Sequence, residues 1–241
     1  MSEMNEMLPL EAVKIAEGAY RIEDNGVRCL LFVGDTHALL VDTGFGQAGS
    51  LKAVVESITD KPITLIVSHA DGDHIGGNAE FGVAHMHPSE MAHYCHAATH
   101  IQSSNQNAQI APLWEGSVID IGGRKLEVIL IPGHTPGSIA LLDRENRFIV
   151  TGDSVSSAVF MFGDFRDFHS YIFSMEKLSA MKGAFDEIYP SHGPFPLPAD
   201  TVDKALVAAK KYLAGELTPV DPPMEIPAKM YEHDGVGFFA M

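Results

Sequence analysis

Basic residues are scarce in this chain: 16 lysines and arginines stand against 32 aspartates and glutamates, for a formal charge of -16. Non-specific affinity for nucleic acid comes mainly from cations that neutralise phosphates, so a nucleic-acid partner is excluded. Cysteine is nearly absent. With only Cys29 and Cys95 there is no disulfide framework, and a reducing, cytoplasmic setting is expected. Cys29 lies in the apolar run Cys29-Leu-Leu-Phe-Val33 and reads as a buried thiol. No apolar run approaches membrane-spanning length, so no membrane partner is expected. Met1–Ala19 opens on acidic residues without the basic-then-apolar order of an export signal. Low-complexity tracts and solenoid-length repeats are missing as well.

What is present is enough for a sizeable core: 241 residues, 46% of them hydrophobic. We read a single α/β domain over 1–241, with a core over about 13–195 and a C-terminal helix and tail over 196–241. Short β-type runs from Val13 to Val41, broken by Asp24-Asn25-Gly26 and Gly34-Asp35, predict hairpin-linked strands at a sheet edge. Ser50 is placed to cap a helix whose Leu51, Val54, Val55 and Ile58 form one apolar stripe. Ile63–Val67 predicts a strand buried on both faces that delivers the chain to His69. A second strand series runs from Val118 to Val150, with turns at Gly122-Gly123 and Asp143 to Asn146, and ends near Asp153. Asp200 or Thr201 caps a helix with Val202, Leu206, Ala209 and Leu213 on its apolar face. The Pro-rich segment Thr218–Pro223 reads as a linker that carries the final residues over the surface, and Met224–Met241, with Tyr231, Phe238 and Phe239, is apolar enough to pack on its own core or on a neighbour.

Histidine and aspartate recur in a telling order. His69-Ala-Asp71-Gly-Asp73-His74 is followed by Gly-Gly at 76 and 77, then by Gly133-His134-Thr-Pro-Gly137, Thr151-Gly-Asp153 and Ser191-His192-Gly193. In an extended segment alternate residues share a face, so His69, Asp71 and Asp73 point one way, and His74 joins as the chain turns. Gly72, Gly76 and Gly77 suit a backbone that bends tightly. Each block alone is a common turn or capping loop; their joint order, each at a strand end, carries the signal.

Taken together these blocks resemble the metallo-β-lactamase superfamily of hydrolases. The spacing is most similar to the compact thioesterase, lactonase and glyoxalase II-like members. The resemblance implies a four-layer αββα sandwich with its site at one rim. It also implies two divalent metal ions, the first held by His69, Asp71 and His134, the second by Asp73, His74 and His192, with Asp153 bridging. Asp73 would in addition orient the attacking oxygen as the catalytic carboxylate. One departure stands out: position 71 is commonly histidine in this superfamily and here is aspartate. Three carboxylates neutralise two divalent ions and one hydroxide, and the added oxygen donor favours iron or manganese, zinc being the alternative. Asp42, in Leu40-Val-Asp42-Thr-Gly44, matches a position that in the superfamily orients a ligand by hydrogen bonding rather than binding metal itself; capping of the Thr43-Gly44-Phe45 bend is the alternative role.

The expected activity is hydrolysis of a small ester, thioester, lactone or phosphoester by a metal-bridging hydroxide. No Gly-x-Ser-x-Gly elbow or recognisable catalytic cysteine motif competes with it. A diiron redox protein acting on dioxygen, with a separate electron donor, is the alternative that Asp71 motivates; a non-catalytic metal-dependent receptor is a third reading. His85, His87, His93, Cys95, His96 and His100 invite a further metal site, but His93, His96 and His100 at helical spacing read as a solvated helix face. Phe160, Met161, Phe162, Phe165, Phe168 and Tyr171 are divided between core packing and the wall of a substrate cavity. Arg166 among them is placed to bind an anion or to pair with Asp164 or Asp167. The oligomeric state is not legible.

Overall fold

Asn25 and Gly26, with φ of 51° and 100°, reverse the chain between β2 (Ala19–Asp24) and β3 (Val27–Val33). Such a left-handed pair matches the twist of a two-residue hairpin. β1 (Glu11–Ala16) and β4 (Ala38–Val41) extend this antiparallel meander. Ser50 Oγ accepts the Ala53 N–H at 3.1 Å and starts α1 (Leu51–Ile58), which buries Leu51 and Val55 and half-buries Val54 and Ile58. The chain then returns in parallel as β5 (Ile63–Ile66), β6 (Val83–Met86) and β7 (Gln109–Pro112), completing a seven-stranded sheet in chain order. A four-residue helical turn, α2 (Gly72–Ile75), follows β5, and α3 (Met91–His100) follows β6.

The computed structural model describes residues 8–100 and 108–241, without the side chains of 98–100. The first seven residues of the N-terminal stretch and the His100 side chain, both read above, therefore lie outside the described residues. The chain forms two compact units. The first comprises residues up to Met86 with Tyr94–Leu113 and Asp120–Arg124; the second comprises His87–His93, Trp114–Ile119 and Lys125–Met241. In the first, Ile22, Leu31, Leu40, Leu65 and Val67 pack with the buried face of α1.

The second unit holds β8 (Val118–Asp120), β9 (Lys125–Leu130), β10 (Ile139–Asp143) and β11 (Phe148–Gly152), then β12 (Ala158–Phe160), β13 (Glu187–Pro190) and β14 (Leu197–Pro198). Six of these form a sheet in the order β14-β13-β11-β10-β9-β8. The Gly122-Gly123 turn between β8 and β9 belongs to the first unit; within the second, a turn follows Asp143, whose carboxylate accepts the Glu145 and Asn146 amides. α4 (Phe168–Ala180) and α5 (Thr201–Leu213) supply apolar faces to its core. In α5 the buried residues are Thr201, Val202, Ala205, Ala208 and Ala209; Leu213 is exposed, contrary to expectation, because the small alanines carry the packed face.

Thr218–Pro223 is largely exposed, as a linker should be, and of the two expectations for the apolar end, packing on its own core is the one observed. The chain there forms β15 (Lys229–His233) and β16 (Val236–Ala240), and β16 inserts between β15 and β12 in a three-stranded sheet. All five residues of β16 are buried. Val236 and Phe238 join the same core as α4 and α5, so the C-terminal helix and tail contribute to it. Full burial of Phe238 contributes about 2 to 3 kcal/mol. Among the described residues no helix is long and apolar enough to cross a membrane.

Candidate metal centre

β5 ends at Ile66, and the next residues carry the first donors. Asp71 stands at the N-cap position of α2 with extended φ and ψ of -64° and 151°, while Asp73 and His74 lie within the helical turn. Strand-like alternation therefore does not extend to Asp73; a turn of helix orients it. That turn is held tightly. Gly76 has an ordinary helical φ of -62°, but a Cβ there would lie 2.1 Å from the Phe45 carbonyl oxygen. The Thr43 N–H donates to the His74 carbonyl at 2.9 Å.

Asp42 organises His69 and His74. It is buried, with the unusual φ of 63°. Its carboxylate accepts the Ser68 N–H at 2.7 Å, the Ser68 hydroxyl at 2.6 Å and the His74 Nδ1–H at 2.8 Å. Because the one Ser68 hydroxyl proton goes to Asp42, the 3.0 Å contact between Ser68 Oγ and His69 Nδ1 has His69 as donor. Each ring thus has a proton on Nδ1 and directs Nε2 away from that hydrogen bond. Asp42, His69 and His74 each offer an atom within 4.8 Å of the others. With three hydrogen bonds on its carboxylate, Asp42 orients the two rings of this network, which is the hydrogen-bonding one of the two roles open to it from sequence. Ser68 is the member that sequence reasoning missed; its place between a buried strand and His69 was the available signal.

In the second unit His134 is buried and its Nδ1–H donates to the Phe160 carbonyl at 2.9 Å, which again leaves Nε2 as the donor atom. Gly133 before it has φ of 136°, and a Cβ there would lie 2.4 Å from the Tyr171 backbone, so only glycine lets the loop approach α4 this closely. Asp153 follows β11 and His192 follows β13, so parallel pairing of these two strands brings their ends together. Asp153 Oδ2 lies 3.9 Å from His134 Nε2 and 3.5 Å from His192 Nε2. The corresponding separations in the first unit are 3.5 Å for His69 Nε2 to Asp71 and 3.7 Å for His74 Nε2 to Asp73.

These distances test whether the donors suit a metal. All four exceed an ordinary hydrogen bond. Two ligands about 2.1 Å from one tetrahedral ion lie about 3.4 Å apart, close to what each pair shows. The donor chemistry agrees: the imidazoles of His69, His74 and His134 are fixed by a hydrogen bond at Nδ1, with oriented Nε2, and the carboxylates retain partial exposure to solvent. The residues present fit divalent ions.

The other histidines do different work. His85 Nδ1 donates to the Leu65 carbonyl at 3.0 Å. His87 packs against Trp114, and burial holds its imidazole below the usual range. His93 is buried against Phe165, at 4.8 Å between ring centroids, so the solvated-face expectation fails there; Cys95 and His96 are exposed. Tyr171 belongs to the core and donates its hydroxyl to the Ser154 carbonyl at 2.8 Å, while Phe168 packs on Tyr212 and Phe238. Asp167 caps α4 through the His169 and Ser170 amides.

Residues 22–215 match the sequence profile of the Metallo-beta-lactamase superfamily. The chain is similar to the acyl-coenzyme A thioesterase MBLAC2 of Gallus gallus, 25% identical over 207 residues that cover 71% of this chain and 75% of that protein. It is also similar to the hydroxyacylglutathione hydrolase GloC of Haemophilus influenzae, 26% identical over 136 residues, or 52% of this chain and 64% of that one. A metallo-beta-lactamase from Pontibacter korlensis shares the fold with a TM-score of 0.66 at 18% identity, over 83% of this chain and 99% of its own. The α/β fold, of the αββα type, is therefore the one the motifs implied.

Proposed function

The chain belongs to the metallo-β-lactamase superfamily and is a metal-dependent hydrolase; on that premise we propose that it holds two divalent ions and cleaves a small ester, thioester, lactone or phosphoester. The observation that carries the two-ion reading is Asp153 Oδ2, one carboxylate oxygen at ligand-edge distance from two imidazoles. Seven donors also exceed the four that one tetrahedral ion takes. In this proposal His69, Asp71 and His134 serve one ion, Asp73, His74 and His192 the other, and Asp153 both. The assignment follows the superfamily pattern, and all seven residues fall within the matched segment.

When bound, the ions supply Lewis acidity and lower the pKa of water. The chain's own residues do the rest. Asp42 keeps a proton on His74 Nδ1 and, through Ser68, on His69 Nδ1, so both rings remain correctly oriented donors. Asp73 Oδ orients the attacking water and holds its proton. The oxygen donor of Asp71 favours iron or manganese over zinc. Within the substrate group the thioester is favoured by the relative named as a thioesterase. The two free thiols, Cys29 pushed well up by burial and Cys95 exposed, suit a reducing cytoplasm.

Elemental analysis of protein purified without added metal, paired with turnover of thioesters, lactones and phosphodiesters, tests the proposal. Two equivalents of metal with hydrolysis of one class is the expected result. Iron accompanied by oxygen consumption would favour the diiron redox reading, and metal without any turnover would overturn the enzymatic one.

A further inference from the structure

The strand that closes the chain reaches both ligand-bearing loops of the second unit that lie nearest α4. β12 is the edge of its sheet and pairs with β16 on one side. The Gly237 N–H donates to the Ser157 carbonyl at 2.9 Å and the Met161 N–H to the Phe239 carbonyl at 2.8 Å. Peptide groups alternate in direction along a strand, so these bonds leave the Phe160 carbonyl on the opposite edge of β12. That carbonyl accepts the His134 Nδ1–H. The Phe160 ring packs on Phe239 with centroids 4.6 Å apart, so main chain and side chain of β16 both determine where the acceptor sits.

The neighbouring residue acts on the other face of the strand. Phe238 lies edge-on to Tyr171, 5.4 Å between centroids. Tyr171 is fully buried, and burial pushes its phenol well up, so it remains a donor. Its hydroxyl holds the Ser154 carbonyl, one residue past Asp153, and its backbone is the surface against which Gly133 packs, one residue before His134.

We propose that β16 is a positioning device: through Phe160 it sets the His134 ring, and through Tyr171 it sets the turn that carries Asp153. The proposal rests on the reading of these two residues as ligands. Phe239→Leu and Tyr171→Phe test it in the full-length chain. The readouts are zinc chloride titrated into chelator-stripped protein and the imidazole nitrogen resonances of His134 without metal. Far-UV circular dichroism confirms that each variant is folded.

Phe239→Leu is expected to weaken zinc binding about tenfold or more and to shift the His134 resonances away from a protected Nδ1–H. Tyr171→Phe is expected to weaken binding by about tenfold while leaving those resonances in place. Unchanged affinity and unchanged His134 signals in Phe239→Leu overturn the proposal. Should that variant not fold, unchanged affinity in Tyr171→Phe overturns it alone. If His134→Ala binds as much zinc as the parent protein, the ligand assignment fails instead, and the metal-free resonances still decide whether β16 positions the ring.

Discussion

The two units solve one problem by different means. In the first, four proposed donors fall within six consecutive residues, and one buried carboxylate, Asp42, orients both imidazoles, directly at His74 and through Ser68 at His69. In the second, three proposed donors come from three separate loops, and His134 is oriented by a neutral peptide carbonyl supplied by a strand edge. A charged acceptor makes an imidazole a stronger donor than a neutral one does. The first arrangement depends on a single side chain, while the second depends on the pairing of strands far apart in sequence.

Asp42 is therefore where the largest effect is expected. Asp42→Ala leaves three buried donors without their acceptor and places alanine at a left-handed φ, a loss of about 4 kcal/mol in denaturant unfolding. Asp42→Asn, a residue that tolerates this backbone region, is expected to fold and to lose metal affinity by about 10- to 100-fold. If Asp42→Asn binds metal as the parent protein does, the charge of the acceptor does not distinguish the two units.

The same contrast explains how much was legible in the sequence. The His69–His74 string could be read because its geometry is local, and β5 and the α1 cap were legible for the same reason: an apolar run and a serine before a 3.6-residue stripe. The blocks around His134, Asp153 and His192 were recognisable as motifs, but what fixes them was not. Phe160 acts through its carbonyl, which every residue possesses, so no side-chain pattern announces it. Tyr171 stood among aromatics read partly as a cavity wall, and only the path of α4 turns it into the core. The apolar character of Met224–Met241 announced packing on its own core or on a neighbour, but the strand itself was not legible, because parallel pairing with β12 depends on a partner far earlier in the chain.

His134→Ala is expected to have the next largest effect. Loss of a buried ring that donates to Phe160 costs about 2 kcal/mol, and one equivalent of metal should disappear from elemental analysis while the domain stays folded. Retained stoichiometry would remove His134 from the site. Asp71→His is gentler on the fold, since Asp71 is half-exposed. It exchanges an oxygen donor for a nitrogen, and occupancy should move toward zinc when iron, manganese and zinc are offered together. Unchanged metal content would show that donor hardness at this position does not govern the choice.

The smallest expected effect tests whether the His134 loop also depends on a titrating cap. The Asp167 carboxylate accepts the Ser170 hydroxyl at 2.6 Å and the His169 N–H at 2.9 Å, and its own N–H donates to the Gly133 carbonyl at 2.9 Å. The Ser170 hydroxyl, with help from the two backbone amides, holds its carboxyl below the usual carboxylate range. A folded-state pKa below the unfolded one favours folding most fully above the unfolded value, about 3.9, and that contribution fades as pH falls through the folded value. Asp167→Ala should therefore cost about 1 kcal/mol at pH 7, the ordinary worth of a helix cap, and progressively less below about pH 4. Urea unfolding of both proteins at pH 7 and pH 3 measures the difference. An equal penalty at both values would mean that Asp167 supports the Gly133 loop through its backbone alone, and that the second unit owes no acid sensitivity to this cap.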